Sequence, residues 1–77
     1  MTKTDIKEII CSIANIEQLE NSQPLISGSI LDSFSILILV SKLEMRFNIN
    51  ISLDGIDIND LDTVDNIYNL VSSQIHK

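Results

Sequence analysis

The chain has 77 residues, a formal net charge of −6, one cysteine and one histidine. That charge excludes the basic footprint a nucleic-acid backbone requires, and it argues against an anionic membrane surface. One Cys and one His exclude an internal disulfide and a zinc cluster, so so short a chain must rely on regular packing of its many Ile, Leu and Val residues.

The first apolar set is Ile6, Ile9, Ile10, Ile13 and Ile16, at helical spacing. Asp5 and Glu8, three apart, resemble a capping box, so a helix is predicted from about Asp5 to about Ile16. The apolar residues here are interleaved with Lys and Glu, unlike a secretory leader. With no disulfide framework either, a cytoplasmic setting is expected.

From Glu17 to Leu31 the period is lost, and Asn21, Ser22, Pro24, Ser27, Gly28 and Ser29 punctuate a loop. Leu25, Ile26, Ile30 and Leu31 are expected to pin it to the core. A loop this long in so small a chain is often functional. Asp32 reads as an N-cap, followed by a helix to about Phe47. At about 100° per residue, Ile36, Leu39, Val40, Leu43 and Phe47 share the core seam, while Phe34, Ile38 and Met45 fall on the opposite side. The longest apolar run, Ile36 to Val40, is far too short to span a bilayer.

Asn48 to Leu53 reads as an extended connection alternating polar residues with Ile49, Ile51 and Leu53. Gly55 to Asp60 is predicted to form one short helix. Asp62 or Thr63 then caps a last helix carrying Val64, Ile67, Tyr68, Val71 and Ile75. No linker or repeat divides the chain, so residues 1–77 are expected to form one all-α domain of three main helices and one short third helix.

Catalysis by the chain itself is not expected. His76 stands next to the C-terminus, where fraying is the rule, and Cys11 beside the Ile9–Ile10 stripe reads as packing rather than a reactive thiol. Asn50, Ser52, Asp54 and Gly55 resemble the opening of a calcium loop, but Leu61 stands where its bidentate Glu is required. Asp54, Asp57, Asp60, Asp62 and Asp65 therefore read as solvated charges and caps.

One site remains, Leu31-Asp32-Ser33-Phe34. Asp32 and Ser33 suit a simple helix cap. The same geometry also exposes a serine on a rigid element, where a phosphate on its hydroxyl would meet free backbone N–H groups and the positive end of the dipole.

Gly28-Ser29-Ile30-Leu31-Asp32-Ser33-Phe34, then Leu37, Leu39, Val40, Leu43-Glu44, Arg46-Phe47 and Ile49, resemble the acyl carrier and peptidyl carrier protein family. Asp62-Thr63-Val64 and Asn66-Ile67 extend the resemblance to the last helix, so it covers essentially the whole chain. It implies a four-helix bundle with a long first loop, and 4′-phosphopantetheine attached to Ser33 from coenzyme A by a phosphopantetheinyl transferase. Asp32 would cap the helix and contribute to transferase recognition. The arm would carry a thioester between an adenylation or other acyl-loading enzyme and downstream acyltransferase, condensation or modifying enzymes.

Ser35, Ile38 and Met45 stand at positions often acidic in fatty-acid carriers, and Arg46 adds a positive charge. The Gly28-x-x-Leu31-Asp32-Ser33 phrase and the Leu43-Glu44-x-Arg46-Phe47 ending are more similar to peptidyl and D-alanyl carriers. Phe34, Ile38 and Met45 are expected either to dock partner enzymes or to lie beneath the first loop. The resemblance implies a stand-alone carrier of acyl or aminoacyl groups in a nonribosomal-peptide-type or related pathway. A D-alanyl carrier, a fatty-acid or polyketide carrier, and an unmodified helical adaptor are the alternatives.

Overall fold

The computed structural model of the protein describes residues 1–75, the side chain of Leu53 excepted. The chain forms three α-helices, α1 (Lys3–Ala14), α2 (Ser33–Phe47) and α3 (Val64–Ile75), with no strand among the described residues. Two 3-10 turns, Leu53–Gly55 and Ile58–Leu61, lie between α2 and α3.

α1 begins two residues before its predicted start. The Thr2 hydroxyl accepts from the Asp5 N–H at 3.3 Å, and the Asp5 carboxylate accepts from the Thr2 N–H at 2.9 Å. The capping box is therefore Thr2 with Asp5, not Asp5 with Glu8. A threonine followed three residues later by an acid satisfies two orphan donors reciprocally and places a negative charge at the positive helix end. α1 stops before Ile16 because Asn15 takes left-handed backbone at φ 57°, which asparagine tolerates. Both the Asn15 and Ile16 N–H groups then donate to the Cys11 carbonyl.

One core joins the elements. Ile6, Ile9 and Ile10 of α1, Leu39, Val40 and Leu43 of α2, and Val64, Ile67 and Val71 of α3 are buried together with Leu19, Leu25, Leu31, Ile51 and Leu61. Each such side chain contributes about 1.5–3 kcal/mol on burial. Ile13, Ile16, Ile36, Phe47, Ile49, Tyr68 and Cys11 pack at its edge. α1 lies against both α2 and α3, and α3 also meets the second 3-10 turn. Ile75 continues the spacing of α3 yet stays 42% exposed. Angular spacing places a residue on a face, but burial also requires an element opposite it.

The single short helix expected at Gly55 to Asp60 is instead split into the two 3-10 turns. The Asp57 carboxylate accepts from the Asn59 N–H at 3.0 Å and starts the second turn at Ile58. Asp60 and Asp62 then donate their N–H groups to the Asp57 and Asn59 carbonyls three residues back. Segments this short close i→i+3 bonds more readily than they nucleate an α-helix. Thr63 caps α3, its hydroxyl accepting from the Asn66 N–H at 3.0 Å. Of the two residues predicted for that cap, Asp62 is engaged elsewhere.

Candidate functional site at the start of α2

The loop between α1 and α2 is fixed by its own backbone and by a residue far along the chain. Leu25 and Leu31 are buried. The Leu25 carbonyl accepts from the Ile30 N–H at 2.8 Å and from the Leu31 N–H at 3.0 Å. Ser29 adopts left-handed backbone, φ 62°, and its N–H donates to the Ile26 carbonyl. The segment thus folds back on itself and delivers the chain to Asp32.

Asp62 holds this loop from the other side. One carboxylate oxygen accepts from the Ile26 N–H at 2.8 Å and the Ser27 N–H at 2.9 Å, and the other accepts from the Ser27 hydroxyl at 2.8 Å. The Asp62 carbonyl also accepts from the Leu25 N–H at 2.7 Å. The Ser27 N–H, with the other N–H and hydroxyl bonds, holds the Asp62 carboxyl below the ordinary carboxylate range. Sequence reasoning had no signal for this contact, because nothing local to Asp62 distinguishes a cap from a long-range clamp.

Asp32 has extended backbone, and its carboxylate accepts from the Ser35 N–H at 2.8 Å. Its carbonyl accepts from the Ile36 N–H, opening the helical ladder. The Ser35 N–H bond lowers the Asp32 pKa from its ordinary value, so the cap is anionic at neutral pH. Ser33 is the first residue of α2 and is exposed.

These residues fit a phosphate-linked arm. An anion on the Ser33 hydroxyl would meet the positive end of the α2 dipole. The neighbouring Asp32 charge opposes it, but that carboxylate is already turned onto the Ser35 N–H. Exposure of Ser33 and Phe34 leaves an open path to solvent.

Along the outer side of α2, Phe34 is 71%, Leu37 55% and Met45 82% exposed, with Ile38 half-buried among them. At about 100° per residue these four fall within one stripe. Phe34 is thus not covered by the first loop, and Leu37 joins the face expected from Phe34, Ile38 and Met45. Lys42 and Arg46 flank the far end of the stripe. The single acid on α2, Glu44, turns its carboxylate to the Ile51 N–H. Beside Met45, a cleft of about 430 Å³ opens between α1 and α2, lined by Glu8, Ile9, Ser12, Lys42, Met45 and Arg46.

The other candidates stay apart from this site. Cys11 is half-buried against the core edge, and His76 lies outside the described residues. Among the described residues no group of His, Cys, Asp and Glu side chains is placed to hold a metal ion. No described helix is long and apolar enough to cross a membrane.

A search of the curated proteins returns no match. A family model described as the phosphopantetheine attachment site matches residues 4–71, from the first turn of α1 to Val71 in α3. Proteins with this domain bind 4′-phosphopantetheine covalently and meet phosphopantetheinyl transferases and acyl-handling enzymes. The chain therefore belongs to the phosphopantetheine attachment site family and is a non-catalytic carrier of acyl groups.

Proposed function

We propose that Ser33 is the hydroxyl that receives 4′-phosphopantetheine, and that residues 1–77 act as one carrier domain in a nonribosomal-peptide-type or related specialised pathway. Supporting the first part is the position of Ser33: exposed, first in α2, and next to a cap whose carboxylate is occupied. When bound, the arm supplies a terminal thiol that holds cargo as a thioester. The carrier's own residues contribute placement. α2 presents the attachment point on a rigid element, and tethering makes the cargo local to each enzyme in turn.

The pathway reading rests on the outer face of α2. Its exposed residues are apolar at Phe34, Leu37 and Met45 and cationic at Lys42, while the Arg46 guanidinium reaches the Asp5 carboxylate of α1 at 3.4 Å. A fatty-acid-type carrier that docks onto basic patches would need acids there, and Glu44 is turned away. An aminoacyl-loading adenylation enzyme with an apolar docking groove suits this face, with Phe34, Ile38 and Met45 as its contacts and Asp32 contributing to transferase recognition.

The deciding experiment incubates the protein and its Ser33→Ala variant with coenzyme A, magnesium and a broad-specificity phosphopantetheinyl transferase, followed by intact-mass analysis. One phosphopantetheine addition to the parent and none to the variant is the expected result. An addition that survives the Ser33→Ala change would place the arm elsewhere. A folded parent that stays unmodified would favour the unmodified adaptor, or else a carrier that needs a dedicated transferase.

A further inference from the structure

Asp62 lies just before α3, yet its hydrogen bonds go to the loop that leads into α2. Its carboxylate collects the Ile26 N–H, the Ser27 N–H and the Ser27 hydroxyl, and its carbonyl takes the Leu25 N–H. Leu25 in turn accepts from the Ile30 and Leu31 N–H groups with its own carbonyl. Leu31 is followed by Asp32, which caps α2 through the Ser35 N–H, and by Ser33. A continuous relay of hydrogen bonds and chain therefore joins the start of α3 to the start of α2. A second tie, from the Asp65 N–H to the Asn21 carbonyl, anchors the same loop further upstream.

We propose that Asp62 is a positioning residue for the modification of Ser33: by clamping Leu25 to Ser27 it fixes the approach to α2 and hence the presentation of Ser33 to the transferase. This inference rests on the assignment of Ser33 as the attachment site. The chemistry favours it over an incidental contact. An ionised carboxylate accepting several donors makes bonds stronger than neutral pairs, and the Ile26 bond is partly buried. The donors it satisfies are backbone groups of an irregular loop, which no helix or strand ladder could serve. Loop segments open locally at less cost than the core, so loss of the clamp should free residues 25–31 while the three helices persist. Ser33 would then sit on a fraying helix start, and fewer encounters with the transferase would find it in place.

The test compares the parent with Asp62→Ala, Asp62→Asn, Ser27→Ala and Thr63→Ala. Thr63→Ala removes the neighbouring α3 cap and serves as a destabilised control with the clamp intact. Attachment of phosphopantetheine is followed at a temperature where melting curves show every variant folded, and amide exchange is followed residue by residue. Asp62→Ala is expected to lower the attachment kcat/KM about tenfold, with Ile26, Ser27, Ile30 and Leu31 exchanging faster than in the parent. Asn retains an acceptor for the two N–H groups and should restore most of the rate, while Ser27→Ala should cost only a small part of it. Thr63→Ala should be attached at the parent's rate.

A parent rate for Asp62→Ala, or an equal loss in Thr63→Ala, would overturn the proposal by showing no effect or a stability effect alone. Should Asp62→Ala fail to fold, the Asp62→Asn/Ser27→Ala double variant, which loses both the charge and the hydroxyl bond, decides: parent exchange at Ile26 and Ser27 would overturn the clamp. Failure of the Ser33 assignment has a different signature, since the parent itself would then stay unmodified or Ser33→Ala would be modified. Exchange at residues 25–31 still judges the clamp in that case.

Discussion

Gly28 packs against the Pro24 carbonyl so closely that a Cβ at position 28 would lie well inside van der Waals contact with that oxygen. The backbone of Gly28 itself is not left-handed; the positive φ in this loop belongs to Ser29. Glycine is required here by space, not by conformational freedom. The obstructing atom is backbone, which cannot swing aside as a flexible side chain would.

Gly28→Ala should therefore push the loop off its seat, at about 1–3 kcal/mol, the range found for overpacked sites. A thermal melt would register this as a lower midpoint. Gly55→Ala is the matched control, because nothing crowds its Cβ position, and its midpoint should stay close to the parent's.

Acid should weaken the fold through three carboxylates. Asp5, Asp32 and Asp62 each have a folded pKa below the ordinary value of 3.8, the leading causes being the N–H bonds from Thr2, Ser35 and Ser27 respectively. A depressed folded pKa means that the unfolded chain binds protons first as pH falls. The stabilisation is thus complete above the unfolded value and is lost as pH drops through the folded values. Urea midpoints should be flat from neutral pH down to about pH 5 and decline below about pH 4. Asp62→Asn should show a shallower acid decline than the parent, and an unchanged slope would remove Asp62 from the account.

The outer stripe of α2 makes binding and stability separable. Met45 is 82% exposed, so Met45→Glu should leave the melting midpoint nearly unchanged, as surface substitutions do. Ile38 is half-buried, and Ile38→Glu should lower the midpoint modestly without unfolding the chain. If the stripe docks enzymes, both should slow aminoacyl loading of the arm-bearing protein by an adenylation enzyme that accepts the parent. Unfolding of Ile38→Glu would instead mark that position as core.

How much of this was legible in sequence depended on how local each determinant is. α2 was readable at both ends because Asp32 caps its own helix and the Ile36–Leu39–Val40–Leu43–Phe47 seam repeats within a few turns. Asp32 was legible as that cap from the same short window, whereas Ser33 as an attachment point came only from the resemblance along the whole chain. The start of α1 was misplaced because Thr2–Asp5 and Asp5–Glu8 offer competing boxes, and only the folded backbone selects between them. The split of the short third helix turned on one Asp57 side chain. The task of Asp62 depends on a loop far away in the chain, which no spacing rule encodes. Leu37, named only in the resemblance, was not placed on the outer stripe, because exposure there is decided by what fails to pack on it.

Glu44 illustrates the same dependence and yields a further prediction. Its carboxylate accepts from the Ile51 N–H at 2.9 Å, after Asn48 has ended α2 in left-handed backbone. The bond turns the chain back along the helix and seats Ile51, which is buried. Glu44→Ala would leave that N–H partly buried without its partner, a loss of about 1–3 kcal/mol. In a domain of this size, each kcal/mol lowers the melting midpoint by roughly 4–8 °C. Glu44→Gln keeps a neutral acceptor and should recover part of that loss. If both variants melted with the parent, the contact would contribute nothing to stability, and Ile51 would be held by its apolar burial alone.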